Sequence, residues 1–332
     1  MKILIAPLNW GLGHATRCVA LVRRYMSEGH EVVLGGDGES LVWLKRYFPN
    51  LRYVELASLE LTYSKGKSQV WAMLRALPKL IRFSLEDEAR LEQLLRTEPF
   101  DLVVSDNRFG LYSQRTRCVY MTHQLWIRLP RFWHWLEPLA ARLHAQVYNK
   151  YSEVWVPDYE QKGLSGILGH PKKVSDKVKY IGPLSRFGIY QLCSAQTTMA
   201  SANNNGISQH QYHVVALLSG LEPQRSIFEQ QVLAQMAQQT GKHLLVQGKV
   251  KKPFTKLQHG NITVVPWLGD DELAAALLGA EQIICRSGYS TIMDLERLGV
   301  LGKAVFYPTP GQPEQAYLAE IHTLKTAKSA KK

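Results

Sequence analysis

Short apolar runs, each ending in polar or glycine residues and each followed by a helical pattern, recur along both halves of this chain. The first half carries KILIAP, EVVLGG, LRYVEL, DLVVSD, RCVYMTH and EVWVPD. The second carries HVVALLSG, KHLLVQG, ITVVPW, EQIICRSG and KAVFYPTPG. Strands that are apolar at nearly every position are covered on both faces, and the intervening helices supply the cover. The pattern predicts an α/β fold of two doubly wound parallel sheets. Between the halves, Gln191 to Gln211 is rich in Ser, Asn, Gln and Thr and has little to bury. It reads as a mobile linker. At 332 residues the chain is long enough for two units with their own cores. The predicted division is an N-terminal unit over residues 1–185, a linker over 186–212 and a C-terminal unit over 213–332. Ligands of such sheets bind beyond the carboxyl ends of the strands, so the polar strand ends facing the cleft between the units are where a site is expected.

Bulk properties narrow the class. No apolar stretch reaches membrane-spanning length, and MKILIA runs into a strand pattern rather than a secretion signal. A cytoplasmic protein is expected. Cys18, Cys118, Cys193 and Cys285 are widely spaced, with no C-x-x-C pair. They read as free buried thiols in a reducing compartment rather than a zinc site. Lys and Arg number 40 against 28 Asp and Glu, a net charge of +12. That excess draws a protein towards polyanions: nucleic acid, anionic lipid or phosphorylated substrates.

The run from Cys285 to Leu295 is the richest in chemistry. A strand that ends in Arg286, Ser287 and Gly288 and feeds a helix leaves main-chain amides pointing outward, which makes an anion site. Asp294 on that helix, with Gln312 and Gln315 after the next strand, would read the hydroxyls of a ribose or a sugar. The combination suits a nucleotide sugar. In the N-terminal half, Asn9 to Arg17 (NWGLGHATR) follows the first strand and opens the first helix. As a dinucleotide fingerprint it lacks the third glycine, and Asp37 is only a stand-in for the usual acidic residue. Gly11 and Gly13 instead let a substrate approach the backbone. His14 then faces the cleft as a general base, the alternative being a capping or packing histidine. Asp106, at the end of DLVVS, either orients His14 or caps the segment beginning near Arg108. His123 is a third candidate, as a substrate contact or a structural residue.

Further candidates each have a plainer alternative. Arg186 would pair with a diphosphate or sit solvated on the surface. Ser219 and Gly220 would offer it backbone donors. Trp267 and Leu268 would flank a nucleobase or pack in the core. Gly269-Asp270-Asp271-Glu272 reads as a helix cap with acidic first-turn residues, and no His/Cys/Asp set has metal spacing, so no metal is expected. Two basic amphipathic stretches, Val70–Phe83 and Leu125–Tyr151, mix aromatics with cations. They suit an anionic membrane surface, single-stranded nucleic acid, or an ordinary core.

The motifs R-S-G-x-x-T-x-x-D (Arg286, Ser287, Gly288, Thr291, Asp294) and P-x-x-x-x-x-x-Q (Pro308 to Gln315) resemble the nucleotide-sugar domain of glycosyltransferase family 28. That family includes the N-acetylglucosaminyltransferase of the lipid-linked peptidoglycan precursor and monogalactosyldiacylglycerol synthase. GLGHATR is similar to the opening loop of related prokaryotic transferases of the GT-B class. The resemblance spans most of the chain and is specific at its two ends. It implies two Rossmann-like domains facing a cleft (GT-B), and a UDP-sugar donor held by the C-terminal domain, with no cofactor. It also implies an acceptor held by the N-terminal domain, and inversion without a metal. By position, the ribose-binding acid falls on Asp294, the sugar-reading Gln on Gln315 and the diphosphate arginine on Arg186. Leu268 and Gly13 complete the donor pocket. The second Gln of the family's pair falls on Ala316, with Gln312 as its substitute. The glycine-rich loop is reduced to Ser219-Gly220-Leu221-Glu222, where Glu222 would repel a diphosphate. The family's further helices, which cross back to the N-terminal domain, are expected to be missing after Ala319-Glu320. A lipid-linked acceptor and peripheral contact with the inner face of an anionic cell membrane are the expected surroundings; nucleic acid is not. A UDP-sugar epimerase or hydrolase on the same scaffold is the second reading. A non-catalytic binding module is the third, and the paired motifs argue against it.

Overall fold

Side chains of β1 (Lys2–Pro7) alternate between two buried faces, and this alternation sets the layering of the first half. Ile3 and Ile5 pack with Val19 and Val22 on one side, while Leu4 and Ala6 pack with Leu91 and Tyr148 on the other. Both faces are covered because strand side chains point alternately up and down. The computed structural model describes residues 1–59, 69–188 and 212–329. The linker predicted at Gln191 to Gln211, and Cys193, lie outside them.

The first sheet adds β2 (Glu31–Gly36), β3 (Arg52–Glu55), β4 (Leu102–Asp106), β5 (Arg117–Met121), β6 (Glu153–Val156) and β7 (Val178–Tyr180). Its order is β3-β2-β1-β4-β5-β6-β7, parallel throughout. The helices α1 (Leu12–Ser27) and α2 (Gly38–Tyr47) cover one face. The other is covered by α3 (Gln69–Thr97) and α4 (Glu137–Tyr148).

The second sheet is built from β8 (Tyr212–Leu217), β9 (His243–Val246), β10 (Leu257–His259), β11 (Ile262–Val265), β12 (Ala280–Cys285) and β13 (Ala304–Phe306). Its order is β10-β11-β9-β8-β12-β13. Helix α5 (Gln224–Met236) packs Phe228 and Val232 on one face, and α6 (Asp270–Leu278) packs Leu273 and Leu277 on the other. Helix α7 (Tyr289–Arg297) follows β12, and α8 (Pro313–Ser329) follows β13. All pairs are parallel except β10 with β11, which form an antiparallel hairpin. The sequence pattern does not foresee β10, because its three residues are all exposed and only Leu257 is apolar.

The sheet register brings the site together. Pro7 at the end of β1 lies opposite Asp106, and Asp106 lies opposite Met121 at the end of β5. Three neighbouring strands therefore deliver the start of α1, the Asp106 carboxylate and His123 to one edge. The second sheet faces this edge with the turn between β12 and α7, where the Tyr289 hydroxyl donates to the Pro157 carbonyl at 2.9 Å. Helix α8 itself crosses back to the N-terminal unit, where Leu318 packs with Leu164 and Leu168. The Tyr317 hydroxyl accepts from the Ile167 amide at 2.9 Å.

A buried ion cluster ties α3 to the same edge. Arg108, fully enclosed, meets Asp87 at 2.8 Å and Asp37 at 3.0 Å and donates to the Ala57 carbonyl at 2.6 Å. Removing one member of such a cluster leaves buried charge without a partner. Arg108→Ala is expected to destabilise by ~3–5 kcal/mol, measured as a lower urea midpoint. A change below ~1 kcal/mol, the range of exposed pairs, would show that the cluster does not tie these elements together.

Candidate functional site

Gly11 precedes α1 with a φ of 81°, a left-handed conformation that favours glycine, and turns the chain sharply into the helix. Gly13 lies in the first turn. A Cβ there would come within 3.1 Å of the Ser290 hydroxyl, which donates to the Gly13 carbonyl at 2.7 Å. The N-terminus of α1 therefore meets the N-terminus of α7 across the two units. Both ends carry the positive pole of a helix, and first-turn amides have no acceptor within the helix.

His14 sits on this first turn, its Nδ1 2.9 Å from Asp106 Oδ1. Its side chain keeps 15% of its surface exposed, whereas Asp106 keeps none. A buried carboxylate behind a partly open imidazole is the arrangement of a base and its orienter. Asp106 is therefore not a helix cap, because residues 107–110 form no helix. Arg17, one turn along α1, donates from Nε to Asp106 Oδ2 at 2.8 Å and from Nη2 to Asp106 Oδ1. Its Nη1 lies 3.1 Å from His123 Nδ1, and His123 Nε2 lies 2.7 Å from Glu314 Oε1 on α8. Burial works against the Asp106 charge, but Arg17 and His14 outweigh it and hold the carboxyl well below the usual range. Burial lowers the pKa of His123, with Arg17 and His14 acting in the same direction and Glu314 against it. A neutral His123 satisfies both neighbours: Nδ1 accepts from Arg17 and Nε2–H donates to Glu314.

On the donor side several predicted residues serve the protein rather than open space. Arg286 donates from Nη1 to the Tyr307 and Pro308 carbonyls, each at 3.0 Å, and from Nη2 to the Gln224 carbonyl at 3.1 Å. Its guanidinium also stacks over Phe228. Through these contacts it braces the loops. Ser287, fully buried, donates to the Gln315 carbonyl at 2.7 Å. Gln315 Oε1 accepts from the Thr309 amide at 2.9 Å. The two motifs are thus joined directly, but through groups expected to touch a sugar. Arg186 and Asp294, expected on a diphosphate and a ribose, meet each other instead: Arg186 Nε lies 3.1 Å from Asp294 Oδ2, and the Ser185 hydroxyl donates to Asp294 Oδ1 at 2.6 Å. Arg186 is buried, not a solvated surface group.

Leu268 packs on the core of the second sheet, and Trp267 packs against the first-half core, under Arg46 at 4.0 Å. These are the packing alternatives. Asp37 accepts from Asn9 at 3.2 Å, Ser58 at 3.0 Å and Arg108, so it offers no carboxylate to a dinucleotide ribose. Gly288 caps α7 from an extended conformation, with Thr291 half-buried beside it. Ser219 and an exposed Gly220, whose φ is 100°, follow β8. Glu222 meets Arg225 Nε at 3.0 Å, so its charge is paired. Asp270 reaches across the units to Arg23 at 3.0 Å and to the Tyr47 hydroxyl, while Glu272 accepts from the Gly269 amide at 3.4 Å. The acidic run is half cap and half tether.

A cleft of ≈ 720 Å³ opens beside the donor loop, between Arg128–His134 and Pro308–Tyr317, and Gln312 lines it. Phe132, which lines it, is 90% exposed, and Trp135 of the same stretch is 75% exposed, while Tyr148 and Tyr151 are buried. The other stretch also divides, with Leu77 and Ile81 exposed and Phe83 buried. Among the described residues no helix is long and apolar enough to cross a membrane, and no group of three or more His, Cys, Asp or Glu is placed to hold a metal ion. Cys18, Cys118 and Cys285 are free and buried.

No family model matches the chain. Over 97% of its length it is 25% identical to an uncharacterized glycosyltransferase of Methanosarcina acetivorans, covering 83% of that protein. An uncharacterized glycosyltransferase of Methanosarcina mazei is 23% identical over the same shares. Among solved structures, the glycotransferase of kitacinnamycin aligns with a TM-score of 0.58 at 13% identity, over 96% of this chain and 83% of that one. MurG of Acinetobacter baumannii aligns at 0.52 and 13% identity, over 98% and 83%. The UDP-GlcNAc 2-epimerase of Neisseria meningitidis, bound to UDP-GlcNAc, aligns at 0.55 and 11% identity, over 98% and 93%. The fold is GT-B. The chain resembles the GT-B glycosyltransferases, family 28 among them, in sequence pattern and in architecture.

Sequence reading named His14 and Asp106 but gave no role to Arg17 or Glu314. The signal for Arg17 was present: it stands three residues after His14, which puts both on one helix face. Glu314 contacts a residue 191 positions away, and no local pattern marks that.

Acid stability follows from the buried imidazoles. Burial lowers His144 to about 4 and lowers His123 as well. A histidine depressed in the fold contributes stability that is full above about 6.5, its unfolded value, and lost as pH falls towards the folded value. Asp106 adds a second loss below about 4, where the unfolded carboxylate takes its proton. Urea midpoints are expected to decline as pH falls from about 6.5 towards 4, and His123→Gln is expected to flatten part of that decline. A flat profile across this window would contradict the burial of neutral imidazoles.

Proposed function

We propose that the protein is an inverting glycosyltransferase that moves a hexose-type sugar from a UDP-sugar to an acceptor hydroxyl, without a metal or cofactor. At the coarser level, likeness to named glycosyltransferases along nearly the whole chain and the GT-B fold mark it as an enzyme of the glycosyltransferase kind. One observation carries the finer reading. Two helix N-termini converge at Gly13 and Ser290, and the His14–Asp106 pair lies on the first turn of one of them.

In this reading His14 Nε2 takes the proton of the acceptor hydroxyl while Asp106 stabilises the imidazolium. The acceptor oxygen attacks the anomeric carbon from the face opposite the diphosphate, and the C–O bond to the diphosphate breaks. The leaving charge falls on the first-turn amides of α7 and α1, around Ser287, Gly288 and Gly13, with Ser219 and Gly220 facing them from β8. Arg186 and Asp294 hold each other at the junction, so a ribose would reach Asp294 only by displacing Ser185 or Arg186. Gln312, in the cleft, is the side-chain amide best placed for the sugar.

The acceptor occupies the cleft between Arg128–His134 and Pro308–Tyr317. Exposed Phe132 and Trp135 on the stretch that carries Arg128 and Arg131 support a lipid-linked acceptor and peripheral contact with an anionic membrane as part of this reading. A UDP-sugar epimerase is the second reading, supported by the likeness to the Neisseria enzyme. Incubation of a UDP-sugar without acceptor separates the two, since only an epimerase yields the epimer.

His14→Ala is expected to lower turnover by ~10²–10⁴-fold while UDP still binds. Near-normal turnover would remove His14 from the role of base. UDP at ~100 times its dissociation constant should raise stability by ~2.7 kcal/mol in a thermal-shift assay. No shift with UDP, with or without the sugar, would contradict the donor assignment.

A further inference from the structure

His14 Nδ1 has two competing neighbours. Asp106 Oδ1 and Arg17 Nη2 each lie 2.9 Å away. They favour opposite tautomers. A carboxylate accepts from Nδ1–H, which leaves Nε2 with a free lone pair and makes the ring a base. A guanidinium donates to Nδ1, which puts the hydrogen on Nε2 and removes the base from the exposed side. The outcome depends on where the Arg17 fork points. Its Nε and Nη2 are drawn to Asp106, and its remaining arm, Nη1, is held by His123 Nδ1 at 3.1 Å.

His123 is itself fixed from the other unit. Glu314, on the first turn of α8 between Gln312 and Gln315, accepts from His123 Nε2 at 2.7 Å. Tyr289 of α7 stacks on the ring, centroids 4.3 Å apart at 6°. The groups facing His123 are therefore Arg17 and His14 from α1, Glu314 from α8 and Tyr289 from α7, with Asp106 behind Arg17. Each ring nitrogen of a neutral His123 has one partner of the right kind. Turning or protonating the ring would set N–H against N–H at Arg17.

We propose that His123 is a positioning residue: held by Glu314 at the start of α8, it keeps Arg17 on Asp106 and so keeps His14 in the tautomer that can act as a base. The assignment rests on the transferase reading for its catalytic meaning, but the tautomer lock is a property of the free protein. It also ties the base to the donor side, because Glu314 stands between Gln312 and Gln315 at the start of α8. A transferase benefits from this link: the base is set only when the start of α8 is in place, which disfavours proton abstraction in an open site.

Two substitutions separate the two ends of the ring. His123→Asn retains an acceptor near Nδ1 for Arg17, and His123→Gln retains a donor near Nε2 for Glu314. Imidazole ¹⁵N–¹H long-range correlation spectra of the full chain at neutral pH report the His14 tautomer without any substrate. The native chain is expected to show His14 as Nδ1–H, and His123→Asn, which keeps the acceptor for Arg17 but loses Glu314, a smaller Nε2–H fraction than His123→Gln. His123→Gln and Glu314→Ala are expected to show a mixture with a substantial Nε2–H fraction. With a UDP-sugar turned over by the native enzyme, kcat of His123→Gln should fall by roughly 10-fold or more at unchanged donor KM. An unchanged His14 tautomer in His123→Gln would overturn the proposal, as would equal effects of the Asn and Gln variants, which mark mere loss of packing. Absence of any turnover in the native chain would instead sink the transferase reading and leave the tautomer result standing.

Discussion

The buried pair of Arg17 with Asp106 holds the site together. Neither group retains meaningful contact with water, and each would be costly to bury alone. Asp106 is presented by β4 and Arg17 by α1, so the pair fixes the helix at the carboxyl ends of the strands. His14, one turn before Arg17, then has no freedom to leave the carboxylate. The same guanidinium reaches His123, which reaches Glu314. One ionic contact inside the first unit thereby becomes a connection to the second.

The junction between the units repeats this design. Asp270 binds Arg23 and Tyr47, Asp294 binds Arg186 and Ser185, and Ser290 binds the Gly13 carbonyl. Of these partners, Asp294, Arg186 and Gly13 were candidates for touching a nucleotide. In the structure they touch each other across the cleft. Two units whose facing edges carry complementary charge and hydrogen-bonding groups close on one another, and a ligand that enters must exchange these contacts for its own. The open space lies to one side, where Gln312 and the exposed aromatics meet.

Much of the fold was legible in the sequence because strands buried on both faces announce themselves as apolar runs. Almost every such run became a strand at the expected place. β10 escaped notice because none of its side chains is buried, and β7 because it is three residues long. His14 and Asp106 were legible for a related reason: each stands at the end of an apolar run or the start of a helix, where a polar residue is conspicuous. Arg186, Asp294 and Gln315 were placed by motif, and a motif gives a position along the chain, not a direction in space. Their partners, Ser185, Thr309 and one another, follow from how two sheets meet. Glu314 shows the limit most clearly. It sits among the glutamines that drew attention, yet its role depends on a histidine in the other unit.

The central claim is that an anion binds where α1 and α7 point at one another. Backbone amide chemical-shift mapping with UDP tests it most directly. The site described above predicts that the largest shifts fall on residues 13–14 and 287–291, in both units at once. Shifts confined to one unit, or centred away from these helix starts, would contradict it.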